Sequence, residues 1–218
     1  GVKSARKTSS GVAVTVEDQE NGGAERTIEG SRILVATGRR ANVQGLDLEK
    51  AGIAYSDKGI EVDARLRTSN KRVFAIGDVI GGLQFTHVAG YHAGVVLKNA
   101  LFRWPAKADH RAVPWVTYTD PELAQVGLTE KQAQKAGFEF RILRWPFHEN
   151  DRALAEAATG GLIKTVVRPT GRILGCGIAG AHAGELIHTW VLAVSCKIKI
   201  GAIAQMVACE MHPLNNLR

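Results

Sequence analysis

Cysteine is scarce and scattered in this chain. Cys176, Cys196 and Cys209 form no C-x-x-C pair and no ligand cluster. An odd, dispersed set excludes a disulfide frame and a local redox pair, and fits reduced cytoplasmic thiols packed as small hydrophobes. Metal-ligand spacing is also lacking: His87 and His92 lie five apart and His182 and His188 six apart, so neither pair shares a helix face well enough to hold an ion. No long apolar run is present. Trp190 to Val194 is far too short to cross a bilayer, and the polar N-terminus has no signal-peptide core, so a soluble cytoplasmic protein without a membrane partner is expected. Charge of one sign is never concentrated. The net charge is +7, but Lys and Arg occur singly or in pairs such as Arg39-Arg40 and Lys71-Arg72, interleaved with acids. That pattern predicts a solvated face with some affinity for small anions and no nucleic-acid stripe.

At 218 residues, with 45% hydrophobic residues, 24 Gly and 6 Pro, the chain is long enough for one large domain or two small ones. Its organising stretch is Arg72-Val73-Phe74-Ala75-Ile76-Gly77-Asp78, continuing through Gly81-Gly82-Leu83-Gln84-Phe85-Thr86-His87. A short apolar run ending in Gly-Asp reads as a buried strand that stops at a corner with exposed backbone. Gly77 permits a close approach there, and Asp78 places an acceptor-only carboxylate suited to hydroxyl groups of a polyol or ribose. A helix starting near Thr86 would aim its unpaired N–H groups and positive dipole end at the same corner. Two readings fit these residues equally, a ligand site or a plain strand end followed by a capped helix.

The opening, with Val12, Val14 and Val16 alternating and Asn21-Gly22-Gly23 as a turn, predicts a hairpin or meander. Ile33-Leu34-Val35-Ala36 predicts a second buried strand, ending at Thr37-Gly38-Arg39 and repeating the corner pattern at the carboxyl edge of an open sheet. One ligand could bridge both corners. Between them a helical turn over Asp47 to Ala51 with a Gly52 stop, and a short strand from Gly59 to Asp63, are expected. A helix over 86–102 would bury Val88, Tyr91, Val95, Val96 and Leu97. Arg103 to Pro114 marks a domain boundary by composition. Beyond it the pattern gives strands at 115–119 and 138–147, a helix at 129–136 with the capping box Thr129–Gln132 and Gly137 as stop, a hairpin across Pro169-Thr170-Gly171, a helix from Gly184 to Cys196 and a last one near Ala202. Runs of strands with separate helices indicate an α+β second domain.

Gly175-Cys176-Gly177-Ile178-Ala179-Gly180 matches G-x-G-x-x-G. The preceding tight hairpin makes the sheet antiparallel, and Ile198-Lys199-Ile200 supplies no acidic residue for a ribose, so a packing glycine run is expected instead of a dinucleotide loop.

Through Ile33 to Arg40, Val73 to Asp78 and Tyr118-Thr119-Asp120-Pro121-Glu122-Leu123-Ala124-Gln125-Val126-Gly127, the chain resembles the C-terminal half of a class I pyridine nucleotide-disulfide oxidoreductase of the dihydrolipoamide dehydrogenase and mercuric reductase kind. The resemblance runs to about Ala208. It implies an α/β remnant of the nucleotide-binding domains followed by an α+β dimerisation domain with an antiparallel sheet. Residues 1–36 would end an NAD(P)-binding domain, 37–110 form the C-terminal part of an FAD-binding domain, and 111–218 form the interface domain of a homodimer. It further implies FAD contacts from Thr37, Gly38, Arg39, Gly77, Asp78, Gln84, Phe85, Thr86 and His87, with Asp78 on the ribityl hydroxyls. NAD(P)H would be the donor, and a small disulfide or a metal ion the acceptor. A family member's first FAD fingerprint, C-x4-C redox pair and NAD(P) glycine loop would precede Gly1, so the chain by itself is expected to be inactive. Ala41 replaces a usual proline. His212-Pro213 is similar to the family's terminal His-Pro-Thr, with His212 as a catalytic candidate, but Leu214 replaces the threonine, Leu217 stands where the steadying glutamate would be, and the paired terminal cysteines of mercuric reductases are missing. The alternative reading is a non-enzymatic homodimerisation module without cofactor.

Overall fold

The computed structural model describes residues 1–18 and 22–206, in two compact units, Gly1–Arg40 and Ala41 onward. Asn21, Cys209 and His212 lie outside the described residues.

The first unit is the expected meander. Strands β1 (Val2–Lys7), β2 (Val12–Asp18) and β3 (Ala24–Gly30) pair antiparallel in that order. Gly22 and Gly23 turn the chain at φ 70° and 82°, the left-handed region that glycine enters without steric cost. Ala13 is the buried residue of β2, while the flanking valines are only half-buried. The expected strand Ile33–Ala36 does not form. Leu34 is 89% and Val35 73% exposed, in irregular backbone. An isolated extended segment cannot satisfy its ladder groups. Within this unit the segment pairs with neither edge strand of the sheet, β1 or β3.

In the second unit, the turn at 47–52 ends as expected at Gly52 (φ 66°), with Ile53 N–H donating to Leu48 O. The short hairpin of β4 (Tyr55–Ser56) and β5 (Gly59–Ile60) brings Ile60 against Leu48, Ile53 and Ala75 in a small core. The expected strand 73–76 is a correction: the segment is extended but joins no sheet. It is held by one bridge, Phe74 to Arg67, and by hydrogen bonds from Ala75 N–H to Leu66 O and from Thr68 N–H to Val73 O. Helix α1 (Thr86–Ala100) follows. Of its expected core residues Val88 and Val95 are buried, whereas Tyr91 and Leu97 are exposed and His92 takes an inner position at 2% exposure. The 103–114 connector has neither helix nor strand and is tied to α1 by Asn99, which bonds both backbone groups of Ala106.

The remainder is an antiparallel five-stranded sheet. Strands β6 (Trp115–Thr117), β7 (Glu122–Gly127), β8 (Arg141–Pro146), β9 (Leu162–Val167) and β10 (Ile173–Gly180) lie in the order β6-β7-β10-β9-β8. Helix α2 (Glu130–Lys135) carries both halves of the Thr129–Gln132 capping box. Helix α3 (Asp151–Ala155), capped by Asn150, was not foreshadowed by any strong local pattern. Helix α4 (Ala183–Ser195) packs across β7 and β10, burying Ala183, Ile187 and Trp190 against Val126, Cys176 and Ile178. Helix α5 (Ile200–Ala204) closes one end of this core. The G-x-G-x-x-G run lies inside β10, the central strand, and is a packing run as expected. A Cβ on Gly175 would sit 2.2 Å from Leu128 O, and one on Gly180 2.6 Å from the Phe147 ring. The small size of these residues lets neighbouring backbone and an aromatic ring lie directly on the strand.

Candidate functional site

The site is built where the extended 73–76 segment ends. Ile76 is extended (φ −139°), and Gly77 turns sharply at φ 67° into a 3-10 turn over Gly77–Ile80. A side chain at position 77 would place its Cβ 2.9 Å from that of Ala89, so glycine is required both by its backbone angle and by the approach of α1. The contact fixes the Gly77–Asp78 corner beside the first turn of that helix. Gly81 (φ 70°) and Gly82 (φ 69°) then carry the chain back; a Cβ on Gly81 would lie 2.0 Å from Lys58 O. Asp78 is half-buried, and its carbonyl accepts from Gly81 N–H at 3.0 Å and from the Gln84 side-chain amide at 3.3 Å.

Phe85 takes the position before α1 in an extended conformation, with no side chain capping the helix and no acidic residue in its first turn. The N-terminal N–H groups of Thr86 and His87 therefore keep their capacity for an outside acceptor, and no acidic residue of the helix's own first turn offsets the positive end of its dipole. The His87 ring stacks on Phe85 (centroids 5.2 Å apart, planes at 8°), and its Nε2–H donates to Pro114 O at 2.9 Å. Since a carbonyl can only accept, a neutral His87 leaves Nδ1 as an acceptor. Phe85, Thr86 and His87 form one wall of a cavity of about 770 Å³, whose other lining residues include Tyr118, Glu122, His182 and His188 from around the five-stranded sheet and α4. His182 enters this wall from a left-handed backbone (φ 59°, ψ 24°) directly ahead of α4, and Glu122 accepts from Gly184 N–H at 2.8 Å.

Of the residues expected to contact a ligand, Gly77, Asp78 and Gln84 meet at the corner, where the Gln84 side-chain amide donates to Asp78 O, whereas Phe85, Thr86 and His87 line the cavity that faces the five-stranded sheet. Thr37, Gly38 and Arg39 belong to the first unit, where they are exposed, Gly38 at φ 121°. Two residues outside every sequence motif prove central: His92, which accepts from Gly77 N–H at Nδ1 (3.2 Å), and His110, whose Nε2 lies 2.7 Å from His92 Nε2. Their separation by 18 positions gives no local pattern to read. The Cys176 thiol takes no part. Burial pushes Cys176 up to about 12, leaving it protonated and inert, and among the described residues no group of three or more His, Cys, Asp or Glu is placed to hold a metal ion.

The residues fit a flavin with its sugar-alcohol chain on physical grounds. A carboxylate beside a glycine corner suits hydroxyl donors, an uncapped helix start suits a group that gains negative charge, and Gly77 leaves the backbone open to close approach.

Two family models match the chain. The pyridine nucleotide-disulphide oxidoreductase model covers residues 1–93, and the dimerisation domain of the same family covers residues 113–215. A mercuric reductase of Staphylococcus aureus is 42% identical over 80% of this chain and 32% of its own length. A dihydrolipoyl dehydrogenase of Geobacillus stearothermophilus is 39% identical over 96% of this chain and 43% of its own. Among solved structures, LpdA from Mycobacterium tuberculosis superposes with a TM-score of 0.88 at 28% identity, covering 99% of this chain and 46% of that one. The HOCl-induced flavoprotein disulfide reductase RclA from Escherichia coli gives 0.85 at 26%, covering 99% and 49%. The chain thus spans less than half the length of these relatives. With both models matching in order and the antiparallel five-stranded sheet in place, it belongs to the pyridine nucleotide-disulphide oxidoreductase family.

Proposed function

We propose that this chain supplies part of the FAD site and the dimer interface of an FAD-dependent NAD(P)H oxidoreductase that reduces a small disulfide or a metal ion. The observation that carries the reading is the Gly77–Asp78 corner set against the uncapped first turn of α1. Residues 1–36 serve as the end of the NAD(P)-binding domain, 37–110 as the C-terminal part of the FAD-binding domain, and the sheet domain from 111 onward as the surface that pairs two copies.

In this reading Asp78 accepts hydrogen bonds from the ribityl hydroxyls, and the backbone of Gly77 lies close enough to let them reach it. The first turn of α1 stabilises the negative charge that builds at the pyrimidine edge on reduction, an electrostatic role that needs no proton transfer. Gln84 holds the loop to Asp78 O, and Phe85 and His87 wall the site. Thr37, Gly38 and Arg39 serve as a second FAD contact. Flavin, when bound, supplies the two-electron chemistry between nicotinamide and acceptor. Thiol exchange is not assigned to Cys176 or to any residue of this corner, so the chain alone binds without turning over.

The test is a titration of the purified chain with FAD, followed by flavin absorbance and fluorescence, alongside sedimentation equilibrium. A yellow or flavin-quenching dimer that does not oxidise NAD(P)H is expected. A colourless dimer that leaves FAD fluorescence untouched at every concentration supports the cofactor-free dimerisation module instead.

A further inference from the structure

Three groups form a chain of hydrogen bonds behind the corner. Gly77 N–H donates to His92 Nδ1 at 3.2 Å, and His92 Nε2 faces His110 Nε2 at 2.7 Å. A backbone amide can only donate, so Nδ1 of His92 carries no proton. A neutral His92 must then carry it on Nε2 and donate to His110, which accepts at Nε2 and carries its own proton on Nδ1. This arrangement admits no extra proton. Protonating His92 at Nδ1 puts two N–H groups face to face at Gly77. Protonating His110 at Nε2 puts two face to face between the rings, and shifting the His92 proton to Nδ1 only returns the conflict to Gly77.

We propose that His92 is a positioning residue that holds Gly77 in its left-handed turn against α1, and with it the backbone from which Asp78 projects, only while the His92–His110 pair is neutral. It acts through Gly77 and touches no ligand itself. The consequence for FAD binding rests on the reading of the corner as a flavin site.

The surroundings favour a neutral His92. His92 is 2% exposed on the inner face of α1, and His110 is exposed on the connector. Burial, and secondarily the nearby His110, lower His92 from its ordinary value. The other titratable or charged groups around the pair are Asp78 on the 3-10 turn, Tyr91 on α1 with its ring 5.9 Å from that of His92, Asp109 and Arg111 on the connector, and Asp63 and Arg67 on the segment whose Ala64 O accepts from Ala108 N–H. Asp109 and Arg111 neutralise each other through a bidentate pair, and Asp63 and Arg67 through two contacts to the single oxygen Oδ2 of Asp63, so no uncompensated carboxylate among these two pairs draws a proton onto His92. Acid therefore releases the corner as pH falls through the lowered His92 value, which lies below 6.5.

The experiment is nitrogen-15 NMR of the imidazoles and of the Gly77 amide in the full 218-residue chain from pH 8 to 5, with FAD affinity measured over the same range. At pH 8 the expected pattern is a bare Nδ1 and protonated Nε2 on His92, with the Gly77 amide resonance moving as His92 titrates below 6.5. FAD affinity should hold above the lowered His92 value and fall on the order of tenfold for each pH unit below it, the factor that one bound proton imposes. His110→Ala, an exposed change, should move the Gly77 midpoint upward because it removes the second cause of the lowering. His92→Asn, which keeps an acceptor near the Nδ1 position but does not titrate, should give a pH-independent FAD affinity close to the high-pH value of the unaltered chain. A protonated Nδ1 at pH 8, a Gly77 amide indifferent to pH, or equal pH profiles for the unaltered chain and His92→Asn would overturn the proposal. If the imidazole pattern appears but FAD binds at no pH, the positioning of Gly77 stands and the flavin reading of the corner fails.

Discussion

Glu122 on β7 accepts a hydrogen bond at 2.8 Å from the backbone N–H of Gly184, 62 positions further along, in the first turn of α4. A carboxylate at a helix start satisfies an orphan donor and complements the dipole. The space is close-fitting, since a Cβ on Gly184 would meet Glu122 Oε2 at 3.3 Å and Val116 at 3.4 Å. Replacing Glu122 with Ala is expected to lower stability by on the order of 1–2 kcal/mol, as for loss of a helix cap, whereas Glu122→Gln keeps an acceptor and retains most of it. Urea unfolding of the two variants checks this. Equal losses would show that length and packing matter and that the cap does not.

The glycines of β10 and α1 should respond in opposite directions. Gly175→Ala places a methyl 2.2 Å from Leu128 O, a backbone atom that cannot swing aside, and is expected to cost about 1–3 kcal/mol or more. On exposed Gly90 in α1 an added Cβ meets nothing within 4 Å, and Gly90→Ala should stabilise the helix by about 0.5–1 kcal/mol. Thermal unfolding of the two variants separates a packing glycine from a merely permissive one.

These contrasts also show what the sequence could and could not announce. The Thr129–Gln132 box, Gly137 beyond α2 and the Pro169-Thr170-Gly171 turn are local devices, and each appears as read: Gln132 caps with Thr129, Gly137 takes φ 71°, and Gly171 N–H closes the turn onto Arg168 O. The apolar runs at 33–36 and 73–76 looked alike, yet neither became a sheet strand, because pairing depends on neighbours that no short run encodes. Ala124 and Val126 are both fully buried within β7, a strand that lies inside the Tyr118–Gly127 motif and that the pattern of the sequence did not announce. At the site, Gly77, Asp78 and the start of α1 were legible from residue chemistry. His92 was not, because a single histidine on a helix face gives no sign that Gly77 and His110 will meet it from two other segments.

The Asp109–Arg111 pair provides a pH test near the same connector. Arg111 grips both carboxylate oxygens at 2.6 to 3.0 Å, and these hydrogen bonds hold Asp109 down at about 2. A carboxyl with a depressed value contributes stability above its ordinary 3.8 and loses it as pH falls through about 2. Carbon-13 titration of the Asp109 carboxyl should give a midpoint near 2, rising toward 3.8 in Arg111→Gln. A midpoint already at 3.8 in the unaltered chain would mean the pair does not persist in solution.

The most direct test of the central claim is amide chemical-shift mapping of the 218-residue chain during an FAD titration at pH 8, which registers even weak binding. The account predicts saturating shifts at Gly77, Asp78, Gln84, Thr86 and His87, with Gly175 to Gly180 unmoved and the corner response lost in Asp78→Ala. Saturating shifts centred on Gly175 to Gly180, or none at the corner at millimolar FAD, would contradict it.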